Sequence, residues 1–290
     1  MNKVNGLLYG LLSSASFGLI PLFTIPAIRM AESNIIDLIL FYRFLFACLA
    51  LGGILLVNGQ SFRIKRQDIP SLFLLALLYL MSAVFLFWGY KFMASGVATT
   101  IHFMYPVLTT LIMMLFFKEK KSGWRIAAIA SAVAGVYFLS GGDTKTGSFS
   151  FLGLFIVLLS ALGYALYLVT MSQLKIGQMK GLLLTFYVFL FGGILLFIGT
   201  ETISQLQPIS KWHTAGNLIL LALIPTVVSN LALVRAVKSI GSTLTSVLGA
   251  MEPVTAVCVG IFLFGEAFTT SIGVGIALII AAVIVIILKR

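Results

Sequence analysis

Shifting this chain by 147 residues lays it over itself. The shift carries Gly6 onto Gly153, Ser13 onto Ser160, Ser82 onto Ser229, Lys91 onto Lys238, Pro106 onto Pro253 and Glu119 onto Glu266. In each half a Pro is followed thirteen residues later by a Glu, with almost only apolar or small side chains between. A repeat of this kind restricts the fold to one unit used twice. The copies part company at the residue before the Pro, which is Tyr105 in the first and Glu252 in the second.

Between these landmarks lie apolar runs of about 20 residues, the length that crosses ~30 Å of hydrocarbon. Of the 290 residues 60% are hydrophobic and 9% charged, against roughly 25% charged in a soluble domain. The expected fold is all-α and integral to the membrane. Strand-type alternation is absent, which argues against a β-barrel. We read ten spans, roughly 5–28, 35–57, 70–91, 95–117, 124–141, 151–172, 181–199, 215–237, 241–264 and 269–288. The first reads as a span, not a cleaved signal peptide, because it is too long and Pro21 and Pro26 interrupt its far end. Cys48 and Cys258 both lie in apolar runs, so neither a disulfide nor a metal site is expected, and no cofactor. The net charge of +11 reads as boundary flanks of a lipid-embedded protein, with no nucleic-acid partner.

The short loops give the orientation, because Lys and Arg gather on the cytoplasmic side. The side of the N-terminus holds fourteen, among them Arg63, Lys65, Arg66, Lys118, Lys120, Lys121 and Arg125. The other side holds four: Arg29, Lys91, Lys145 and Lys211. Both termini are therefore expected in the cytoplasm, at the cytoplasmic (inner) membrane. Two units of five spans, 1–141 and 150–290, must then sit in opposite senses, since an odd number of crossings flips the second copy. Inverted repeats mark secondary transporters, whose site lies near the midplane between them. No loop exceeds about fifteen residues and no GxxxxGK[ST] phosphate cradle occurs, so any pumping must draw on a gradient.

The pattern resembles the EamA-type family of the drug/metabolite transporter superfamily. Arg43-Phe44 in span two, Pro106 to Glu119 followed by Trp124 and Gly135, and Pro253 to Gly265-Glu266 followed by Gly273 carry the resemblance. It covers essentially the whole chain. It implies a ten-helix inverted-repeat exporter of metabolites or drugs, often amino acids or related compounds, with a central cavity. This chain has Lys118-Glu119-Lys120 where Gly-Glu-Arg is common in the family.

An ionisable group within a span costs about 2.5–3.5 kcal/mol on insertion scales and usually faces the bundle interior or a watery cavity. Glu252, midway along span nine, reads as a cavity carboxylate, a cation site or a proton carrier; the plainer reading is a tether between helices. His102 lies one helical turn before Tyr105 and is the other proton-carrier candidate, or else a satisfied interior group. Tyr105 occupies the repeat position of Glu252, so the two should approach the pseudo-two-fold axis from opposite sides. Arg43 is either structural or the anchor for a substrate carboxylate; if it reached Glu252, the two would suit a zwitterion. Tyr79, Trp88, Tyr164, Tyr167 and Phe17 are weaker cavity candidates, Trp88 reading most simply as an interfacial belt residue. Asn230, with Ser229, reads as interhelical glue or a substrate contact.

Pro106, Pro225 and Pro253 weaken span middles and suit a bend at a site; Pro21 and Pro26 weaken an outer end and suit a gate. Glu119 and Glu266 read as caps, Glu266 at the start of span ten. Small residues at four-residue spacing, Ala127, Ser131, Gly135 and Gly273, Ala277, Ala281, read as close-packing faces that serve the scaffold or a homodimer contact. The expected function is secondary export of a small amphipathic metabolite by alternating access, with or without proton coupling. Its rivals are a multidrug exporter of hydrophobic cations, a channel, and a membrane enzyme acting on lipid. Clustered metal ligands are missing for the last and filter rings for the channel, so no catalytic residue is assigned.

Overall fold

Hydrocarbon offers no partner to a backbone N–H or C=O, so a chain this apolar must satisfy them within helices. The computed structural model describes residues 3–29, 36–117, 123–141, 150–173, 179, 181–199 and 212–288, and no strand occurs among them. Seven helical stretches are long and apolar enough to cross a membrane: Val4–Ile28, Ile36–Val57, Arg66–Gly89, Ser95–Phe116, Phe151–Met171, Gly181–Ile198 and Ala215–Leu233. Three shorter apolar helices, Ile126–Leu139, Met251–Phe264 and Thr270–Val285, stand beside them. The chain is a multi-pass helical membrane protein.

Its helices are α1 (Lys3–Gly18), α2 (Ile20–Arg29), α3 (Ile36–Val57), α4 (Ile69–Gly89), α5 (Ser95–His102), α6 (Tyr105–Phe116), α7 (Gly123–Gly141), α8 (Phe151–Gln173), α9 (Gly181–Gly199), α10 (Trp212–Ala222), α11 (Ser229–Leu248), α12 (Met251–Phe264) and α13 (Thr270–Leu288). A π-turn, Leu223–Val228, joins α10 to α11.

Prolines set the breaks. Pro106 cannot donate to His102 O, and α5 stops at His102 while α6 begins at Tyr105. Pro253 cannot donate to Gly249 O; Glu252 N takes that carbonyl at 2.9 Å, and α12 begins. Each half therefore carries a discontinuous helix, restarting at Tyr105 in one copy and beside Glu252 in the other. Pro21 acts likewise near the α1/α2 junction, where Leu19 N bonds Ser16 O. Pro225 sits inside the π-turn and leaves Leu221 O without its usual donor, and the Thr226 hydroxyl donates there instead at 3.1 Å. Pro26 lies within α2.

The expected boundary between spans eight and nine falls inside α11, which is helical from end to end. Yet α1 meets both of its ends: Ser13 lies against Ser229, and Gly10 against Leu248. A straight helix of that length would separate its ends by about 30 Å, whereas Gly10 and Ser13 are one turn apart. The path therefore turns back on itself, past the Ser239 and Ile240 that meet Gly6.

Contacts between the halves exchange under the 147-residue shift. Ser13 faces Ser229 with 3.4 Å between hydroxyls, where α1 crosses α11; Ser160 faces Ser82 with 3.5 Å, where α8 crosses α4. Gly6 abuts Ser239 and Ile240, and Gly153 abuts Phe92 and Met93, again the shifted pair. Swapping the copies reproduces the contacts, as a two-fold relation demands.

The scaffold helices α7 and α13 close on each other. Gly135 and Gly275 approach so tightly that a Cβ on Gly135 would stand 2.9 Å from Gly275 O. Gly135 was expected in such a face. On α13, however, the buried stripe is Ile272, Gly275, Ile279 and Ala282, whereas Ala277 and Ala281 are exposed. On a helix of 3.6 residues per turn, spacing alone does not select which of two adjoining small-residue stripes turns inward.

Candidate functional site

The two broken helices bring Tyr105 and Glu252 to the same region. Each lies in the first turn of a half-helix, so the positive ends of α6 and α12 point into the site. Glu252, Tyr105, Tyr164 and Tyr167 are each half-buried. Glu252 lies within electrostatic reach of Tyr79, Tyr105 and Tyr164.

The tyrosines form one connected wall. Tyr105 and Tyr164 meet edge-on with centroids 4.6 Å apart; Tyr164 stacks on Tyr167 at 5.7 Å; Tyr79 touches Tyr167 at 5.5 Å and Tyr164 at 6.2 Å. Behind Tyr79 stand Phe189 at 5.4 Å and Phe44 at 6.0 Å. Phe44 stood in the sequence only as part of the family pattern, and nothing in an apolar run marks either phenylalanine as part of this wall.

His102 is held from behind. Its Nδ1 is 2.9 Å from Ser160 Oγ, and that hydroxyl donates its proton to Ser82 O at 2.6 Å. With the serine proton committed, Ser160 accepts, so Nδ1 carries the hydrogen and Nε2 keeps its lone pair. The imidazole ring sits 5.8 Å from Tyr105 and 5.7 Å from Tyr164. In the other copy, Ser229 donates to Ser13 O at 2.9 Å and no imidazole is present, because Gly249 stands at the position of His102. Ser160 and Ser82 were visible in the sequence as repeat partners, but only the crossing of α8 over α4 shows what they hold.

Arg43 is buried among the helices. It is 2% exposed, donates from Nε to Thr226 Oγ1 at 3.0 Å, and lies 5.5 Å from the centre of the Phe87 ring. Its partner is thus the same Thr226 that repairs the gap made by Pro225. No hydrogen bond joins Arg43 to Glu252 among the described residues.

Asn230 donates from Nδ2 to Thr226 O at 2.6 Å and so closes its own helix. Trp88 is exposed at 42%, with its ring 6.2 Å from Phe85, and joins none of the rings in the wall. Its place is on the outside of the helix bundle. Glu119 lies outside the described residues.

Glu266 caps a different helix from the one expected. Its carboxylate accepts from Ser95 N at 2.7 Å, Ser95 Oγ at 2.6 Å and Gly96 N at 3.2 Å, at the start of α5 and not of α13. The left-handed Gly265, φ 65°, turns the chain after α12 and aims the side chain across the repeat boundary. Replacing Glu266 with Ala should lower stability by ~1–2 kcal/mol, the cost of an unmet helix start plus a lost dipole contact. Thermal unfolding in detergent reads this, and an unchanged midpoint would remove the cap from the account.

No group of three or more potential metal ligands occurs among the described residues. The chemistry on offer is recognition: one carboxylate, several phenols, an imidazole lone pair and ring faces.

The sequence pattern of the EamA-like transporter family matches residues 4–141 and again 151–288. The chain is 25% identical over 279 residues to an uncharacterized transporter of Bacillus subtilis (strain 168), YojE, covering 92% of this chain and 88% of that one. An uncharacterized transporter of Archaeoglobus fulgidus (strain ATCC 49558) is 22% identical over 242 residues, covering 83% and 84%. A solved crystal structure, described only as that of a protein, superposes with a TM-score of 0.67 at 16% identity, over 98% of this chain and 96% of the other. That likeness concerns the fold alone.

Proposed function

This chain belongs to the EamA-like transporter family, and from that premise we propose that it is a secondary active exporter of small amphipathic, amine-bearing metabolites. Amino acids and their relatives form one subclass of such compounds, and hydrophobic cations another. Ten spans, in two inverted five-helix halves, cross the inner membrane with both termini in the cytoplasm. The substrate sits between the halves, where Glu252 and Tyr105 face one internal space. Transport alternates access to that space by rocking one half against the other, with the chain breaks at Pro106 and Pro253 as the flexible points.

The observation that supports this reading is a half-buried acid in the first turn of one of two repeat-related half-helices, with Tyr105 at the same place in the other. A merely structural acid in hydrocarbon is expected to find a hydrogen-bond or ionic partner. No such bond reaches the Glu252 side chain among the described residues. His102, held by Ser160 with its Nε2 lone pair free of that bond, is the second group able to carry a proton beside the substrate.

Counterflow in proteoliposomes tests the mechanism. Vesicles preloaded with unlabelled substrate should take up labelled substrate transiently and saturably. Flux that rises without saturation would make the protein a channel. An imposed pH gradient that leaves rates unchanged would remove Glu252 and His102 as proton carriers.

A further inference from the structure

We infer that Ser160 is a positioning residue of the site: it fixes His102 as the Nδ1–H tautomer, so that the imidazole meets the substrate as a hydrogen-bond acceptor at Nε2. This deepens the proposed function and rests on it, since it takes His102 as a member of the substrate site.

The hydrogens have one consistent assignment. Ser160 is fully buried, and its hydroxyl has a single proton. That proton goes to Ser82 O, 2.6 Å away, because a carbonyl accepts and never donates. The other contact of the same oxygen, 2.9 Å to His102 Nδ1, must then be filled by a hydrogen from the ring. A neutral imidazole has one N–H, so Nε2 is left with a lone pair. The bond made at one ring nitrogen thus decides what the other offers. The ring stands 5.8 Å from Tyr105 and 5.7 Å from Tyr164, which meet each other at 4.6 Å in the aromatic wall. It also closes α5, at the break beyond which α6 begins with Tyr105.

The repeat supplies a comparison within the same molecule. The shift carries Ser160 onto Ser13 and Ser82 onto Ser229, and the hydroxyls lie 3.4 Å apart there against 3.5 Å here. Donation nevertheless runs the other way: Ser229, the counterpart of Ser82, gives its proton to Ser13 O at 2.9 Å. Gly249 stands where His102 would be, so Ser13 has no imidazole to orient. Packing alone would treat the two crossings alike. The difference follows the imidazole.

The chain has two histidines, His102 and His213, so a His213→Gln chain carrying isotope-labelled histidine reports His102 alone. Nitrogen NMR of this full-length chain in nanodiscs, at alkaline pH, distinguishes a protonated ring nitrogen from a bare one. Nδ1 should be protonated and Nε2 bare, and Ser160→Ala should move the population towards Nε2–H. Uptake of labelled phenethylamine by proteoliposomes should fall about tenfold in Ser160→Ala, the weight of one hydrogen bond. Ser13→Ala, the matching deletion at the mirror crossing, should leave uptake at the wild-type level, with thermal midpoints reading the fold of both variants. Nε2–H in the wild type would overturn the assignment whether or not Ser160→Ala folds. Unchanged uptake in Ser160→Ala, or equal losses in Ser160→Ala and Ser13→Ala, would end the positioning role and leave the transporter reading in place. A wild-type protein that takes up no phenethylamine would overturn the proposed substrate class and the transport role of Ser160 together, and the spectrum alone would then decide the tautomer.

Discussion

Glu252→Gln should cut transport in proteoliposomes by about 100-fold without unfolding the protein. A hydrogen bond to a charged group contributes ~1.5–3 kcal/mol, and each 1.4 kcal/mol is about tenfold. The amide keeps the size and shape of the acid but not its charge, so the loss isolates the electrostatic contact with substrate. Stability should move the other way or not at all, because a neutral amide is cheaper to enclose than an unpartnered carboxylate. Thermal unfolding beside the flux assay separates the two effects. A midpoint that falls by several degrees would make Glu252 a structural tether, and wild-type flux would end its role at the site.

The second large effect comes from a methyl group. A Cβ on Gly18 would stand 2.5 Å from Glu252 O and 2.7 Å from Thr255 Cβ. The first of these atoms is backbone and cannot rotate aside, so Gly18→Ala must push α1 and α12 apart where Glu252 enters the site. Overpacking of this kind costs roughly 1–3 kcal/mol. Displacing a binding group by about 1 Å can cost about 100-fold in rate, so flux should fall more steeply than stability. Gly53 and Gly216 meet no atom within 4 Å of an added Cβ, and Gly→Ala at either should leave flux unchanged. Equal flux in all three variants would refute the close crossing of α1 over α12.

The same repeat that was legible in the sequence explains why the site was only half legible. Tyr105 and Glu252 stood out because they differ at one repeat position, and the structure places each in the first turn of a helix that restarts at equivalent points of the two halves. Tyr79, Tyr164 and Tyr167 were a plausible set but not a distinguishable one, since aromatic residues also line membrane interfaces. Trp88 shows the ambiguity: it shares their character and faces outward. Arg43 and Glu266 looked like members of local patterns, yet their partners are 183 and 171 residues away. No spacing rule reaches across such distances.

Composition, apolar run length and the 147-residue shift determined the class of this protein from its sequence, because a hydrocarbon solvent permits few backbone solutions and a duplicated unit must appear twice. The same shift singled out the position where the copies differ. Tertiary structure decided the rest: that Ser160 holds His102, that Thr226 takes Arg43, that Glu266 closes the start of α5, and that Gly135 and Gly275 are the tight contact. Each depends on which helices cross and at what height. Helix crossing is set by the packing of whole surfaces, and in chains apolar on every side the surface that turns inward leaves little trace in the order of residues.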